Sequence, residues 1–223
     1  MGLRKQIKQN IKPGKIFTLD EIGIEPQKKA SVCVILSTMI ANNELNRIEK
    51  GAYYIPVKST LFGSLPPDES EIISYVCRKN DGYPSGFSVF NKMGLTEQVP
   101  NKTEIAVPGK KYETKRISGV NISFIRAYTS PQGKDLYLLQ LLDAITHIKN
   151  IPARTVGESV KQVKLLIQNL TKRQVKEISS YANDYPPRTR YILSRIFEET
   201  GNIYEADTLK GTLNNTTKFV YEY

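Results

Sequence analysis

Ten of the first sixty residues are Lys or Arg against five Asp or Glu. Cations gathered in this way are the chemistry of phosphate binding, because each neutralised phosphate releases condensed counterions. Lys28, Lys29, Arg47 and Lys50 are the cations best placed in this stretch, and Gln27, Ser31, Val34, Ser37 and Thr38 share it. Those five side chains could touch base edges, although the Arg and Asn that carry much direct readout are missing from the set. Residues 61–130 hold nine cations against seven anions and residues 131–223 thirteen against ten, so half of the net charge of +10 lies in the first quarter. The alternative is a lysine-rich solvated surface, since 22 of the 32 cations are Lys. A second cationic set, Lys172, Arg173 and Lys176 with Arg188, Arg190 and Arg195, lies near the far end.

Other chemistries find little support. The chain has one histidine, His147, and two distant cysteines, Cys33 and Cys77. That excludes an HExxH site, a multi-histidine metal site and a cysteine-built zinc site, disfavours a Ser-His-Asp triad, and fits a reducing cytosol. Asp68, Glu69 and Glu71 form a local acidic cluster after a proline pair, whereas a metal nuclease needs carboxylates converging from several elements. Gly82-Tyr83-Pro84-Ser85-Gly86 lacks the Lys-Ser/Thr pair of a phosphate loop and continues Phe87-Ser88. An anion could still bind the helix start there, but a plain turn is the preferred reading. No catalytic residue, metal or cofactor is therefore expected. The longest apolar run is five residues, 32–36, against about 20 for a membrane span. No apolar segment follows the basic opening 1–6, so neither a secretory signal nor membrane contact is expected.

The cations need a scaffold, and the apolar spacing supplies one. Leu3, Ile7 and Ile11 share one helical face, and Pro13-Gly14 ends that helix. Residues 15–17 look extended. Thr18 and Glu21 have capping-box spacing for a brief helix over 19–22. Val32, Ile35, Leu36, Met39 and Ile40 then mark the buried stripe of a third helix, with Pro26 in its first turn and Asn43 at its stop. Opposite the stripe lie Gln27, Ala30, Val34, Ser37, Thr38 and Ala41. Ala30 and Val34 could meet thymine methyls, or pack on a second domain or a partner protein. Two short strands follow with a turn near residues 49–51, closed by Pro56. Three helices and a β-hairpin describe a winged helix-turn-helix, whose third helix enters the major groove while the wing meets the backbone.

Residues 61–68, with Gly63, Pro66 and Pro67, read as a linker. A short buried helix is expected over 72–77, which makes Cys77 a core residue. Ser85 reads as the cap of a helix stopped by Gly94. Residues 105–107, 112–117 and 120–127 alternate like strands, with Pro108-Gly109 and Ser118-Gly119 as hairpin turns. Tyr112, Phe124 and Tyr128 among their cations read as a core-facing set, with nucleic-acid stacking as the alternative. The last third is helical. His147 closes an apolar helix and is read as complementing its dipole. Thr171 and Gln174 repeat the capping-box spacing, and the residues from Asn202 onward are expected to fray.

Residues 32–36, Met39, Leu45, Arg47 and Lys50-Gly51-Ala52-Tyr53-Tyr54-Ile55-Pro56 resemble the N-terminal winged helix of AbiEi-type antitoxins. The resemblance continues through Gly82-Tyr83-Pro84-Ser85-Gly86, Gly94-Leu95-Thr96-Glu97-Gln98-Val99-Pro100 and Asn121-Ile122-Ser123-Phe124-Ile125. It spans roughly 1–130 and includes a related group of uncharacterised bacterial proteins. The resemblance implies a cytoplasmic DNA-binding repressor of its own operon in a type IV toxin–antitoxin, abortive-infection module. It also implies a nucleotidyltransferase-like toxin encoded alongside, neutralised without a stable complex. Relatives often have Arg where this chain has Thr38, and Gly where it has Asn43.

The expectation is thus an α+β chain. An N-terminal winged helix-turn-helix (1–60) precedes a mixed α/β domain with a small antiparallel sheet (61–130) and a helical C-terminal part (131–223). Its expected partner is double-stranded DNA, bound by a possible homodimer. The competing expectation is a protein-interaction module that neutralises a toxin directly through the C-terminal helices.

Overall fold

Burial of the predicted stripes organises the first part of the chain. In the computed structural model, which describes residues 3–21, 29–109, 112–152 and 154–214, contacts separate two units: 1–79 with 115–121, and 80–114 with 122–223. In the first unit, α1 (Leu3–Asn10) and α2 (Lys29–Ala41) precede and follow β1 (Ile16–Thr18). Strands β2 (Asn46–Glu49) and β3 (Ala52–Tyr54) come next, and the three strands form a sheet in the order β1-β3-β2. Ile7, Phe17, Val32, Leu36, Met39, Leu45 and Tyr53 pack into one apolar cluster, so the stripe read from 32–40 faces this core. Asn43 takes the left-handed conformation (φ 54°) that ends α2. Thr18 and Glu21 exchange the two hydrogen bonds of a capping box, 2.7 and 3.4 Å. The box opens no helix within the described residues: of the expected brief helix over 19–22, residues 19–21 form a turn, and Ile22 lies outside the described residues.

Residues 61–68 are more than a linker. β4 (Val57–Ser59) and β5 (Gly63–Leu65) pair antiparallel as a separate ribbon. α3 (Glu69–Asn80) follows, and the Asp68 carboxylate accepts the Glu71 N–H at 2.8 Å. Asp68 is thus a helix cap. Glu71 is buried and binds the backbone N–H of Ile16 at 3.1 Å and the Lys15 ammonium at 2.5 Å. Arg78, near the other end of α3, donates to the Ile16 carbonyl at 3.3 Å. These bonds explain why α3 belongs with the first unit, whereas the sequence placed a boundary at 60.

A four-stranded sheet, β6 (Tyr83–Ser85), β7 (Thr103–Pro108), β9 (Val120–Ala127) and β8 (Glu113–Ile117) in that spatial order, supplies the second unit with β6, β7 and most of β9. Residues 115–121, with most of β8 and its turn, are grouped with the first. β6 and β7 pair antiparallel, but β7 and β9 run parallel. The turn expected at Pro108-Gly109 therefore joins no hairpin. Burial explains the difference: β9 carries buried Ile122, Phe124 and Ile125 and takes an inner position, whereas β8 is exposed along most of its length and takes the edge. Ser118 and Gly119, both at positive φ (46° and 90°), make the tight turn between β8 and β9.

Against the sheet pack α4 (Gly86–Lys92) and α5 (Leu136–Thr146); α6 (Val156–Gln168), α7 (Lys172–Tyr181) and α8 (Pro187–Glu199) pack on α5, and α9 (Ile203–Gly211) on α7 and α8. Leu138, Leu142 and Ile145 of α5 meet Val163 and Ile167 of α6, Ile178 of α7 and Phe197 of α8 in the main core. The capping box at Thr171 and Gln174 is present, and Thr155 with Glu158 forms another. The expected fraying from Asn202 gives way to α9, whose Ala206 and Leu209 are buried in the same core. The chain is a mixed α/β protein with small antiparallel pairings and a helical C-terminal part. No helix among the described residues is long and apolar enough to cross a membrane.

Candidate nucleic-acid interface

The outward face of α2 follows from its inward one. With Val32, Leu36 and Met39 buried, Ser31, Cys33, Val34, Ser37, Thr38 and Ala41 are exposed. Val34 is 67% exposed, an unusual position for a β-branched apolar side chain on an otherwise polar face. Thr38 returns its hydroxyl proton to the Val34 carbonyl at 3.0 Å, which leaves its methyl and its oxygen lone pairs facing outward. α2 carries no carboxylate. Gln27 and Lys28 lie outside the described residues, and Lys29 opens α2.

Arg47 and Lys50 are exposed on β2 and on the turn that leads to β3. Arg47 is held locally, its Nε–H donating to the Glu49 carbonyl at 3.1 Å. The Glu49 side chain points the other way, into α3, and accepts from the Tyr75 hydroxyl and the Lys79 ammonium. Burial works against the Glu49 charge, but those two donors outweigh it and hold the carboxyl below its usual range. Burial, and then the Glu49 charge, push the Tyr75 phenol up in return. Beside this turn, Thr18, Asp20, Glu21, Lys50, Arg78 and Lys79 line an open cleft of about 470 Å³. Arg78 pairs there with Glu21 at 3.5 Å, so acids and bases are nearly balanced within the cleft. The turn itself is cationic.

The second cationic set is less uniform. Lys172, Arg173 and Lys176 lie on the open face of α7, with Arg173 paired to Glu177 at 2.8 Å. On α8, Arg195 pairs with Glu198 at 2.9 Å and Arg190 donates to the Thr212 carbonyl at 2.9 Å. Nε and Nη2 of Arg188 are buried with no hydrogen-bond partner. Within this set Lys172 and Lys176 present their charges openly to solvent, whereas Arg173 is exposed but paired.

The Gly82–Gly86 region holds no anion cradle. Ser85 does not cap α4; its hydroxyl donates to Asp143 at 2.6 Å. The Phe87 N–H at the start of α4 is taken by the Glu104 carboxylate at 2.8 Å, so the protein's own anion fills the place a ligand would need. Gly86 sits at φ 69°, and a Cβ there would stand 2.7 Å from the Glu104 Cβ.

Asp143 is the residue that sequence reasoning missed. It is 2% exposed and accepts from Ser85 and from the Tyr185 hydroxyl (3.1 Å), while Tyr83 lies 3.4 Å from Tyr185. Burial raises its carboxyl to about 6 against the pull of those hydroxyls. The available signal was a lone carboxylate in the apolar run Leu141-Leu142-Asp143-Ala144-Ile145. His147, four residues on, is partly buried, and burial lowers its pKa. That favours the neutral ring at the position where His147 closes α5. Cys77 is a half-buried thiol pushed up to about 12 by burial. Among the aromatics, Phe124 is buried, Tyr112 is 73% exposed, and Tyr128 stacks on Tyr185 at 4.9 Å. No group of His, Cys, Asp and Glu able to hold a metal occurs among the described residues.

A family model matches residues 3–178, covering both units through most of α7. The chain belongs to DUF6088, a family of unknown function. None of the curated proteins matches it. Among solved structures, this DUF6088 chain is similar to the RV2827C protein from Mycobacterium tuberculosis at 12% identity and a TM-score of 0.45. That alignment covers 91% of the DUF6088 chain and 78% of the other.

Proposed function

We propose that the first unit is a winged helix-turn-helix that binds duplex DNA. On this reading the protein is a cytoplasmic, antitoxin-type autorepressor of a type IV toxin–antitoxin or abortive-infection module. Its target is its own operator, and its functional partner is a nucleotidyltransferase-like toxin encoded alongside. One observation carries the reading: a carboxylate-free helix face (Ser31, Val34, Ser37, Thr38) precedes a β1-β3-β2 sheet whose β2–β3 turn carries Lys50 beside Arg47. A helix followed by a cationic hairpin is the pairing that sets one element in the major groove and the other on the backbone. The outward face supplies methyls and hydroxyls rather than guanidinium forks, so Lys28, Lys29, Arg47 and Lys50 carry affinity through phosphates while base readout is shallow. Lys172, Arg173 and Lys176 add a second phosphate-binding face. The motifs resembling AbiEi-type antitoxins support the choice of module, and no catalytic step belongs to it.

The test is a fluorescence-anisotropy titration of the chain's own upstream DNA across a salt series. Replacing Lys28, Lys29, Arg47 and Lys50 with Ala is expected to flatten the log–log salt slope by roughly three to four, about 0.9 per phosphate lost. An unchanged slope overturns the placement, and equal affinity for unrelated duplexes overturns the operator.

A second reading has its own observation. Leu165 of α6 and Ile203 and Tyr204 of α9 are 54%, 52% and 79% exposed, as suits helices that dock a protein. A stable, DNA-free complex with the neighbouring gene product would favour direct neutralisation through the C-terminal helices.

A further inference from the structure

The β4–β5 ribbon has no strand neighbour beyond itself among the described residues, and both strands are only three residues long. A lone two-stranded hairpin is marginally stable in water. Its tip is the most apolar exposed pair of adjacent residues among those described in the first unit: Leu61 is 85% and Phe62 77% exposed. The tip is also fixed, since the N–H groups of Leu61 and Phe62 both donate to the Ser59 hydroxyl, at 3.3 and 3.2 Å. Two large apolar side chains are thus held in water by a turn that removes their freedom to fold away.

We propose that the ribbon is a self-association surface, and that its occupant is the same ribbon of a second copy, paired antiparallel along β5. Charge selects this partner. The chain carries a net +10 and its copies repel each other, but residues 57–65 hold a single charged side chain, Lys58. The two edges of the ribbon are not equivalent. Pairing β4 with its copy about Lys58 would set two ammonium groups face to face, which is destabilising. Pairing β5 with its copy about Ser64 opposes Ser64 to itself and Gly63 to Leu65, with no charge in the seam. An antiparallel strand edge is self-complementary under a two-fold axis, so one surface serves both copies. Leu61 and Phe62 of each copy, in the turn that precedes Gly63 (φ 71°), then flank the two ends of the seam rather than lie within it. The product is a four-stranded sheet, β4-β5-β5-β4, with Lys58 guarding each outer edge. Nine residues per copy bury less than the roughly 1,200 Å² of a standard stable interface, so the free protein dimerises weakly and with concentration. The ribbon leaves β3 at the end away from the Lys50 turn, because Tyr54, the last residue of β3, pairs with Asn46 at the start of β2.

Sedimentation equilibrium of the full chain from about 1 to about 200 µM, the range in which weak dimers populate, tests the association. Wild type is expected to pass from monomer to dimer across it, and Leu61→Lys with Phe62→Lys to shift the midpoint up by about tenfold or more. In a Cys33→Ser background, Ser64→Cys is expected to form a disulfide-linked dimer under mild oxidation, while Lys58→Cys is not. Monomer at every concentration, a dimer indifferent to the Lys pair, or cross-linking through residue 58 rather than 64 overturns the proposal. So does loss of DNA or vesicle binding in the Lys pair with the monomer–dimer midpoint unchanged, which would assign the tip to that other surface. The sedimentation and cross-linking readouts are made without DNA, so they stand or fall apart from the operator titration.

Discussion

Replacing Asp143 with Asn removes a buried charge from the second unit, and the effect has a size and a sign. The carboxyl is 2% exposed, is held by hydroxyls alone, and titrates at about 6 instead of 3.8 because burial disfavours its charge. Folding therefore raises its proton affinity. Below about pH 4 the group is protonated in both states and costs nothing. As pH rises from about 4 through 6 the open chain ionises first, and stability falls until the full cost is present above 6. A two-decade difference in proton affinity corresponds to about 3 kcal/mol. Asn has the same shape and no charge, so Asp143→Asn lacks this slope. It carries its own offset of about 1 kcal/mol at acid pH, where an amide N–H₂ meets a hydroxyl that previously donated. Urea unfolding followed by circular dichroism, for both proteins at matched pH values, isolates the term because every other carboxylate is shared. The stability difference should move in favour of Asn by about 3 kcal/mol between pH 4 and pH 7. Parallel curves over that interval would refute the claim that an unpaired buried carboxylate sits beneath Ser85 and Tyr185.

Two glycines separate backbone strain from crowding. Gly51→Ala, at φ 84° with nothing within 4 Å, is expected to cost about 1 kcal/mol. Gly86→Ala, at φ 69° and against Glu104, should cost about 3 kcal/mol or more, and equal melting temperatures for the two would contradict the packing. Thiol reagents at pH 8 should label Cys33 in the native chain and spare Cys77, whose thiol burial holds near 12; two rapid labels per native chain would count against that burial. The chain's single histidine gives one imidazole signal by proton NMR, and its midpoint should fall below the ordinary 6.5 because burial disfavours the imidazolium.

Short-range features were legible because their partners lie within one helical turn. The stripe from Val32 to Ile40, the stop at Asn43 and the box at Thr171 and Gln174 are all of this kind. Ser85 shows where that logic ends. Its sequence neighbours made it a helix cap, yet its partner is 58 residues away, and Glu104, from a different strand, takes the N–H it would have capped. Strand order failed for a related reason. Pro108-Gly109 has the chemistry of a hairpin turn, but the apolar alternation of β9 made it the better neighbour for β7, and nothing local encodes that competition. At the candidate interface the sequence gathered Lys50, Arg47 and the open face of α2 correctly as exposed groups. It did not foresee that Glu49 would be turned into α3 by Tyr75 and Lys79, which leaves the cations of the hairpin turn without an adjacent carboxylate pointing the same way.

The bonds from Glu71 and Arg78 to the two sides of Ile16 bear on how this molecule can be cut. They occupy the outer amide and carbonyl of an edge strand whose other side is already zipped to Tyr54. A fragment stopped at residue 60 would keep α1, α2 and the β1-β3-β2 sheet yet bare that margin as a sticky seam, inviting chain-to-chain stacking. Cloning boundaries drawn past α3 retain the native cover, so a soluble N-terminal piece ends near 80.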